Sequence, residues 1–325
     1  MDGLGRQPDG AFQIPIIDVG GLRSGDAAQI EAVVAQFRRI CTDTGFFYVA
    51  NHGVPEPTVA GIFSAAARFF EQPVSAKERI TMRQNRGYDG FGKQVLDHSI
   101  GGDFKESALF GVELAPDHPL VLAGKPNYAV NPWPEGLPGF RAAVSAYFAA
   151  LHRLSRQLLN GLALSLDLPW DYFEAGLDEP MSSVRLLHYP SHPGADPARE
   201  MGAAAHTDWE LISILAQDQT GGLEIQLSSG EWIAASPVPG TFVVNLGDMM
   251  ARWTNDHYAS TLHRVMNKSE RDRYSVVFFC DPAYHTPVEC LPSCTSAERP
   301  PRYKPTIVGE HLAEMWHKSY PTAVA

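Results

Sequence analysis

Apolar positions change their spacing along this chain, and the change divides it into two textures. In the first half they recur every three or four residues. After Asp26, the positions Ile30, Val33, Val34, Phe37, Ile40 and Cys41 share one helical face, with Asp26 placed as N-cap and Gly45 closing the segment. A second helix covers roughly Pro57 to Phe70. The longest pattern, Phe140, Val144, Phe148, Leu151, Leu154, Leu158, Leu162 and Leu166, predicts one amphipathic spine helix over about 137–166, with Asp167 and Pro169 beyond its end. Two short runs, Ile14–Val19 and Phe46–Ala50, read as strands among these helices.

From about Ser182 the runs shorten. Val184–Tyr189, Leu211–Leu215, Thr241–Asn245, Leu262–Met266 and Arg273–Phe279 are separated by Gly, Pro, Asp and Asn. Short strands at near-regular spacing, with no helical stretch between them, predict a sandwich or barrel of the jelly-roll kind. A last helix around Thr306 to Tyr320 packs back onto the rest. No internal repeat or flexible linker separates the halves. The expected class is α+β, mainly β with helices, in one composite domain over 1–325: a helix-and-strand region over 1–180, a β core over 181–300 and a C-terminal helix within 301–325.

Composition narrows the picture by exclusion. With 325 residues, 44% hydrophobic and 19% charged, the chain can bury a sizeable core. A formal net charge of −11 argues against nucleic acid or an anionic membrane as partner, since phosphate binding needs a basic face. No apolar run approaches the ~20 residues that span a bilayer. The opening Met1-Asp2-Gly3-Leu4-Gly5-Arg6 lacks the apolar stretch of a secretory signal. Cys41, Cys280, Cys290 and Cys294 are scattered without a C-x-x-C pair, as expected of incidental thiols in a reducing compartment. The expectation is a cytoplasmic protein with a small-molecule substrate and no obligate protein partner.

Candidate chemistry concentrates in the second texture. His206-Thr207-Asp208 falls in a predicted strand or at its end, where residues two apart point to the same side. An imidazole and a carboxylate then project together into the barrel. By itself such a pair is equally well read as a hydrogen-bonded surface turn. Three features outside it shift the weighing: His263 in the short run Ser260–Val265, a strand and tight turn at Asn245-Leu246-Gly247-Asp248, and Arg273-Tyr274-Ser275, which sets a guanidinium and a hydroxyl on one face of a strand. Two histidines and one carboxylate on a single octahedral face suit Fe(II) and leave three positions open for a cosubstrate and O2. Arg273 and Ser275 have a matching use. A dicarboxylate such as 2-oxoglutarate, chelating the metal through its keto-acid end, needs a desolvated cationic partner at its far end, and a phenol such as Tyr189 satisfies remaining lone pairs. A surface arginine on the barrel's outer face is the plain alternative for position 273.

At these residues the chain resembles the isopenicillin N synthase-like branch of the 2-oxoglutarate/Fe(II) dioxygenases. The likeness spans nearly the whole chain, from Ile16-Ile17-Asp18, Gly45–Val54, Arg86-Gly87-Tyr88 and Asp103–Glu106, through Leu187–Pro190, His206–Trp209 and Gly221–Glu224, to Asn245–Asp248, His263-Arg264-Val265 and Arg273-Tyr274-Ser275. The resemblance implies a double-stranded β-helix core, with iron bound by His206, Asp208 and His263. It implies that Arg273, Ser275 and Tyr189 hold the distal carboxylate of 2-oxoglutarate. It also implies oxidative decarboxylation to succinate and CO2, coupled to oxidation of a small molecule. Leu187 stands where plant members often carry Asn, which leaves the proximal end of the cosubstrate one polar contact fewer. Trp209 stands where the ethylene-forming members carry Tyr, and no acidic residue falls at the expected place after Tyr88, so their substrate does not transfer.

Candidate substrate contacts are Tyr88 and Phe91 in the Gly-rich 87–92 stretch, Lys105-Glu106, Arg185, Trp209 and the loop Ser191–Met201. Arg185 shares strand parity with Leu187 and Tyr189 and so faces inward, either to hold a substrate carboxylate or as a structural ion pair. Lys105 and Glu106 are equally well read as braces of the fold, and Phe91 and Trp209 as packing, with parity turning Trp209 away from the ligands' face. His52, His98, His188, His257 and His285 lack a ligand-spaced partner and read as structural or surface residues. The expected substrate is a small polar metabolite, such as an amino acid or other carboxylate. Two rivals stand beside this reading. One is an iron and O2 oxidase or cyclase that needs no keto acid, whose Arg273 grips the substrate's own carboxylate. The other is a non-catalytic small-molecule sensor on a jelly-roll scaffold.

Overall fold

In the computed structural model, which describes residues 12–192, 194, 196 and 200–320, both textures of the sequence contribute strands to one sheet. The strands are β1 (Ile16–Asp18), β2 (Phe46–Ala50), β3 (Gly87–Asp89), β4 (Glu106–Gly111), β5 (Ser183–Tyr189), β6 (Ala203–His206), β7 (Ile212–Gln217), β8 (Leu223–Gln226), β9 (Trp232–Ala234), β10 (Phe242–Leu246), β11 (His263–Val265), β12 (Arg273–Cys280), β13 (Pro287–Val288) and β14 (Thr306–Ile307). Eight form the order β1-β2-β10-β7-β12-β5-β4-β3, and four face them in the order β6-β11-β8-β9. Within the large sheet β1 and β2 run parallel and the other pairs antiparallel. The two facing antiparallel sheets are the jelly-roll core.

The helices are α1 (Ala27–Asp43), α2 (Glu56–Phe70), the single turns α3 (Val74–Lys77) and α4 (Pro119–Leu122), the spine α5 (Phe140–Ser165), α6 (Asp248–Trp253) and α7 (Val308–Ser319). Asp26 caps α1, its carboxylate accepting from the amides of Ala28 and Gln29. Gly45 then turns the chain into β2 at φ +63°, and a Cβ there would meet the Ala259 carbonyl at 2.3 Å. Both requirements call for glycine.

Strand periodicity splits the core in two. Val276, Phe278 and Cys280 of β12, with Val184 and Leu186 of β5, pack outward into one cluster with α5, where Phe148 meets Phe278 edge-on at 5.4 Å. Leu187, Tyr189, Val243, Val265 and Val277 point the other way, into the space between the sheets. Strands buried on both faces read as continuous apolar runs. Each large side chain removed from water contributes about 1.5–3 kcal/mol.

Two expectations need correction. The β region does contain a helix, because Asn245-Leu246-Gly247-Asp248 opens α6 rather than a tight turn. Strand β6 also stops at His206, which leaves Asp208 in the bend that follows. No helix among the described residues is long and apolar enough to cross a membrane. The opening stretch Met1–Arg6 and the last residues of the expected 301–325 segment lie outside the described residues.

Candidate active site

Antiparallel pairing of β6 with β11 sets His206 directly opposite His263, their rings 4.3 Å apart. Oδ1 of Asp208 lies 3.5 Å from Nε2 of His263 and 3.9 Å from Nε2 of His206. One donor atom from each residue falls within 4.8 Å of the others. Metal–ligand bonds of roughly 2 Å place neighbouring donors about 3 Å apart, so a small contraction seats an ion. Strand alternation does not achieve this convergence, since Asp208 lies beyond the strand. Its aim comes from behind: Asn245 Nδ2 donates to Asp208 Oδ2 at 2.8 Å, and the Asp248 amide donates to the Asp208 carbonyl at 2.8 Å. Asp248 also accepts from Thr207 at 3.0 Å and from Ser260 at 2.7 Å, tying the Asp208 bend to the approach to β11. Gly247 permits the close approach, because a Cβ there would come within 2.2 Å of the Glu210 carbonyl.

Backbone carbonyls orient both imidazoles. Nδ1 of His206 lies 2.7 Å from the Ala204 carbonyl, and Nδ1 of His263 lies 3.2 Å from that of Thr261. Each carbonyl can only accept, so each Nδ1 carries its hydrogen and Nε2 faces the centre. Burial and the neighbouring His263 push His206 down to about 3, so it stands as a neutral ligand. Burial disfavours the Asp208 anion, yet His263, His206 and the Asn245 amide outweigh it and hold the carboxylate well below its usual range. For His263, burial is outweighed by Asp208, which raises its pKa. A bound metal ion would take the place of that proton, held by His206, Asp208 and His263. Two neutral imidazoles and a carboxylate, with the opposite side open, fit Fe(II). Behind the site, burial raises two further carboxyls, Glu210 and Asp281, the latter to about 8.

These residues line an open cavity of about 1050 Å3, mouth included. At one end stands Arg273, 0% exposed. Its Nε donates to the Gly221 carbonyl at 2.6 Å and its Nη1 to Ser275 Oγ at 3.1 Å, and its guanidinium lies 4.8 Å from the Tyr189 ring. Among the described residues it has no carboxylate partner. A buried guanidinium without a counter-charge is expensive unless a ligand supplies one.

The cavity lining also includes Gln94, Lys105, Arg185, Trp209 and Trp316. Arg185 faces inward as expected and is also an ion pair, 3.5 Å from Asp89, with Tyr320 and Ser107 as further partners. Trp209 lines the cavity and meets Trp316 edge-on at 5.8 Å. The parity that would turn it away does not apply, since it lies past the end of β6.

Three candidate substrate contacts are not brought to the cavity. Tyr88 and Glu106 bond to each other at 2.6 Å, within a ladder that adds the buried Lys77 and His188 and ends at the exposed Asp272. Phe91 packs on Phe104 at 5.5 Å, 43% exposed. Of the loop Ser191–Met201, residues 193, 195 and 197–199 lie outside the described residues, and none of the described ones lines the cavity. His188 sits in the ladder and His52 packs on Phe242. The sequence reading missed Gln94, and it used Asn245 without seeing that its amide grips the metal-ligand carboxylate. The fixed short step from Asn245 to Gly247 and Asp248 was the available signal.

Residues 180–282 match the family described as the 2OG-Fe(II) oxygenase superfamily, and residues 14–136 match the non-haem dioxygenase N-terminal region named for morphine synthesis. The chain is 36% identical over 319 residues to the 2-oxoglutarate-Fe(II) type oxidoreductase hxnY of Emericella nidulans, covering 96% of this chain and 91% of that protein. It is 35% identical to a homoarginine-6-hydroxylase of Glycine max, covering 92% of this chain and 95% of that one. Among solved structures, a full-length Neurospora crassa protein in complex with alpha-KG and thymine superposes with a TM-score of 0.84 at 29% identity, covering 97% of this chain and 99% of that one.

Proposed function

Because the chain belongs to the 2OG-Fe(II) oxygenase superfamily, as a 2-oxoglutarate-dependent Fe(II) dioxygenase, we propose that it hydroxylates a small polar metabolite, carboxylated or amino-acid-like, with release of succinate and CO2. The observation that carries the reading is Arg273, a fully buried cation at one end of the metal cavity with no counter-charge among the described residues. The distal carboxylate of 2-oxoglutarate supplies that charge, and the planar fork receives it with Ser275 and Tyr189 alongside.

Iron(II), held by His206, Asp208 and His263, supplies the O2-dependent oxidising chemistry when bound. The chain's own contribution is placement. Asn245 and Asp248 fix the carboxylate ligand, and the Ala204 and Thr261 carbonyls fix the imidazoles. Buried walls of Leu187, Val265 and Val277 keep bulk water from the cosubstrate, and Trp209 and Arg185 bound the space left for the organic molecule. The homoarginine-6-hydroxylase of Glycine max, by its name, and the thymine-bound Neurospora protein support a small polar substrate. A free metabolite also suits a net charge of −11.

The test is a metabolite screen read by succinate formation. The reading predicts at least one compound that stimulates succinate release stoichiometric with its own oxidation. Oxidation with O2 consumed and no succinate formed would establish instead a keto-acid-independent oxidase.

A further inference from the structure

The cavity that holds Arg273 contains a second cation whose bonding is incomplete, Lys105, set against Tyr189 by the register of β4 on β5 while Arg273 pairs with Tyr189 from β12. Lys105 lines the cavity and is 5% exposed, yet its ammonium has one partner among the described residues, the carboxylate of Asp103. An ammonium carries three donors, so two are left over. Gln94 lines the same cavity at 7% exposure. Its backbone carbonyl accepts from the Asp103 amide at 2.9 Å, while its side-chain amide bonds to no described residue. Both line the metal cavity, so these two polar groups are left for whatever occupies it.

Arg185 differs. Its Nε is committed to Ser107 at 3.0 Å and its Nη2 to Tyr320 at 2.8 Å, with Asp89 at 3.5 Å as counter-charge. It braces the wall by joining β5 to the residue after α7. The Lys105 ammonium, by contrast, has no hydrogen bond among the described residues beyond the one to Asp103. The second oxygen of Asp103 accepts from the Ala204 amide at 3.1 Å, two residues before His206. That bridge fixes the ammonium relative to the metal ligands.

We propose that Lys105 and Gln94 form the recognition subsite for a carboxylate of the organic substrate, whose flat apolar body lies along Trp209 and Trp316. This rests on the dioxygenase reading for the word substrate, but it names a binding preference that stands or falls by itself. An ammonium supplies a point charge, and the neighbouring amide donates to the second carboxylate oxygen. The edge-to-face pair of Trp209 and Trp316 offers a flat apolar surface in the same cavity.

The experiment uses the full chain loaded with Fe(II) and saturated with 2-oxoglutarate under nitrogen, so that Arg273 is already occupied. Phenylacetate, cinnamate and hexanoate are each compared with the primary amide of the same acid, by tryptophan quenching and thermal shift. The acids are expected to bind at least about tenfold more tightly than their amides. The double variant Lys105→Met/Asp103→Asn, which leaves no unpaired buried charge, should erase that preference. Gln94→Leu should weaken the acids about threefold or more while retaining the wild-type circular dichroism. Amides that bind as well as acids, acids that bind only by displacing 2-oxoglutarate, a panel in which no acid binds, or a preference that survives in the double variant would each overturn the proposal. A 2-oxoglutarate titration on the same samples reports separately on the dioxygenase reading. Its failure would strike that reading and leave the acid-over-amide comparison intact.

Discussion

The side-chain amide of Asn245 donates a 2.8 Å hydrogen bond to Oδ2 of Asp208, leaving Oδ1 directed at the two imidazoles. Strand β10 thereby aims a carboxylate that its own loop would leave free to rotate. Partners behind a metal ligand typically account for about 10–100-fold in affinity or activity. Asn245→Leu is therefore expected to weaken Fe(II) binding by about that factor, measured by anaerobic titration, with folded secondary structure retained. Unchanged affinity would show that the bend holds Asp208 without help.

Gly247 is the adjoining constraint. A methyl group there meets the Glu210 carbonyl at 2.2 Å and the Asp208 carbonyl at 3.0 Å, both backbone atoms that cannot swing aside. Overpacking of this kind costs about 1–3 kcal/mol. Gly247→Ala should lower the urea midpoint correspondingly and weaken Fe(II) binding as well, since the displaced backbone carries a ligand. A stability loss with metal affinity intact would contradict the coupling.

His188 bridges Glu106 at 2.8 Å and Asp272 at 2.9 Å. Burial acts to lower its pKa, but the two carboxylates outweigh burial and raise it. A raised folded pKa means that the imidazolium's contribution is fully present below the unfolded value of about 6.5 and is lost as pH climbs through the folded value. Wild-type Tm should therefore fall relative to His188→Gln as pH rises from about 6.5 through that range. Parallel Tm curves for the two proteins would refute the assignment.

Adjacent residues of β12 should separate stability from function. Phe278 is fully buried against the spine helix, whereas Phe279 lines the cavity. Phe278→Ala is expected to cost about 3–5 kcal/mol, read by denaturant unfolding. Phe279→Ala should cost less and act mainly on substrate-stimulated succinate release. Equal stability losses would mean that the two faces are not distinct.

The same alternation explains what the sequence could and could not reveal. Helices α1 and α5 were legible because their apolar period persists over several turns, and β5, β10 and β12 because burial on both faces leaves continuous apolar runs. Helix α6 was not legible, since six residues after a glycine show too little of any period. The metal residues were legible as residue types at a spacing, but the reason for their convergence was not. Strand parity does not reach Asp208, which is aimed instead by Asn245 and Asp248 from another segment. Lys105 and Glu106 mark the limit most sharply. They are neighbours in sequence, yet Lys105 faces the cavity, and Glu106, paired in register with His188, joins the ladder on the other side. Only the register of β4 against β5 decides which is which.

Activity of this kind requires one ferrous ion at His206, Asp208 and His263 while Arg273 receives the far end of 2-oxoglutarate. Anaerobic titration with Fe(II) and then 2-oxoglutarate, followed by visible absorption, tests both at once. Wild-type protein should bind one Fe(II) per chain and develop a weak charge-transfer band on adding 2-oxoglutarate. His263→Ala should lose the metal, and Arg273→Leu should keep the metal but need far more 2-oxoglutarate to form the band. Undiminished Fe(II) binding in His263→Ala, or an unshifted 2-oxoglutarate titration in Arg273→Leu, would contradict the account.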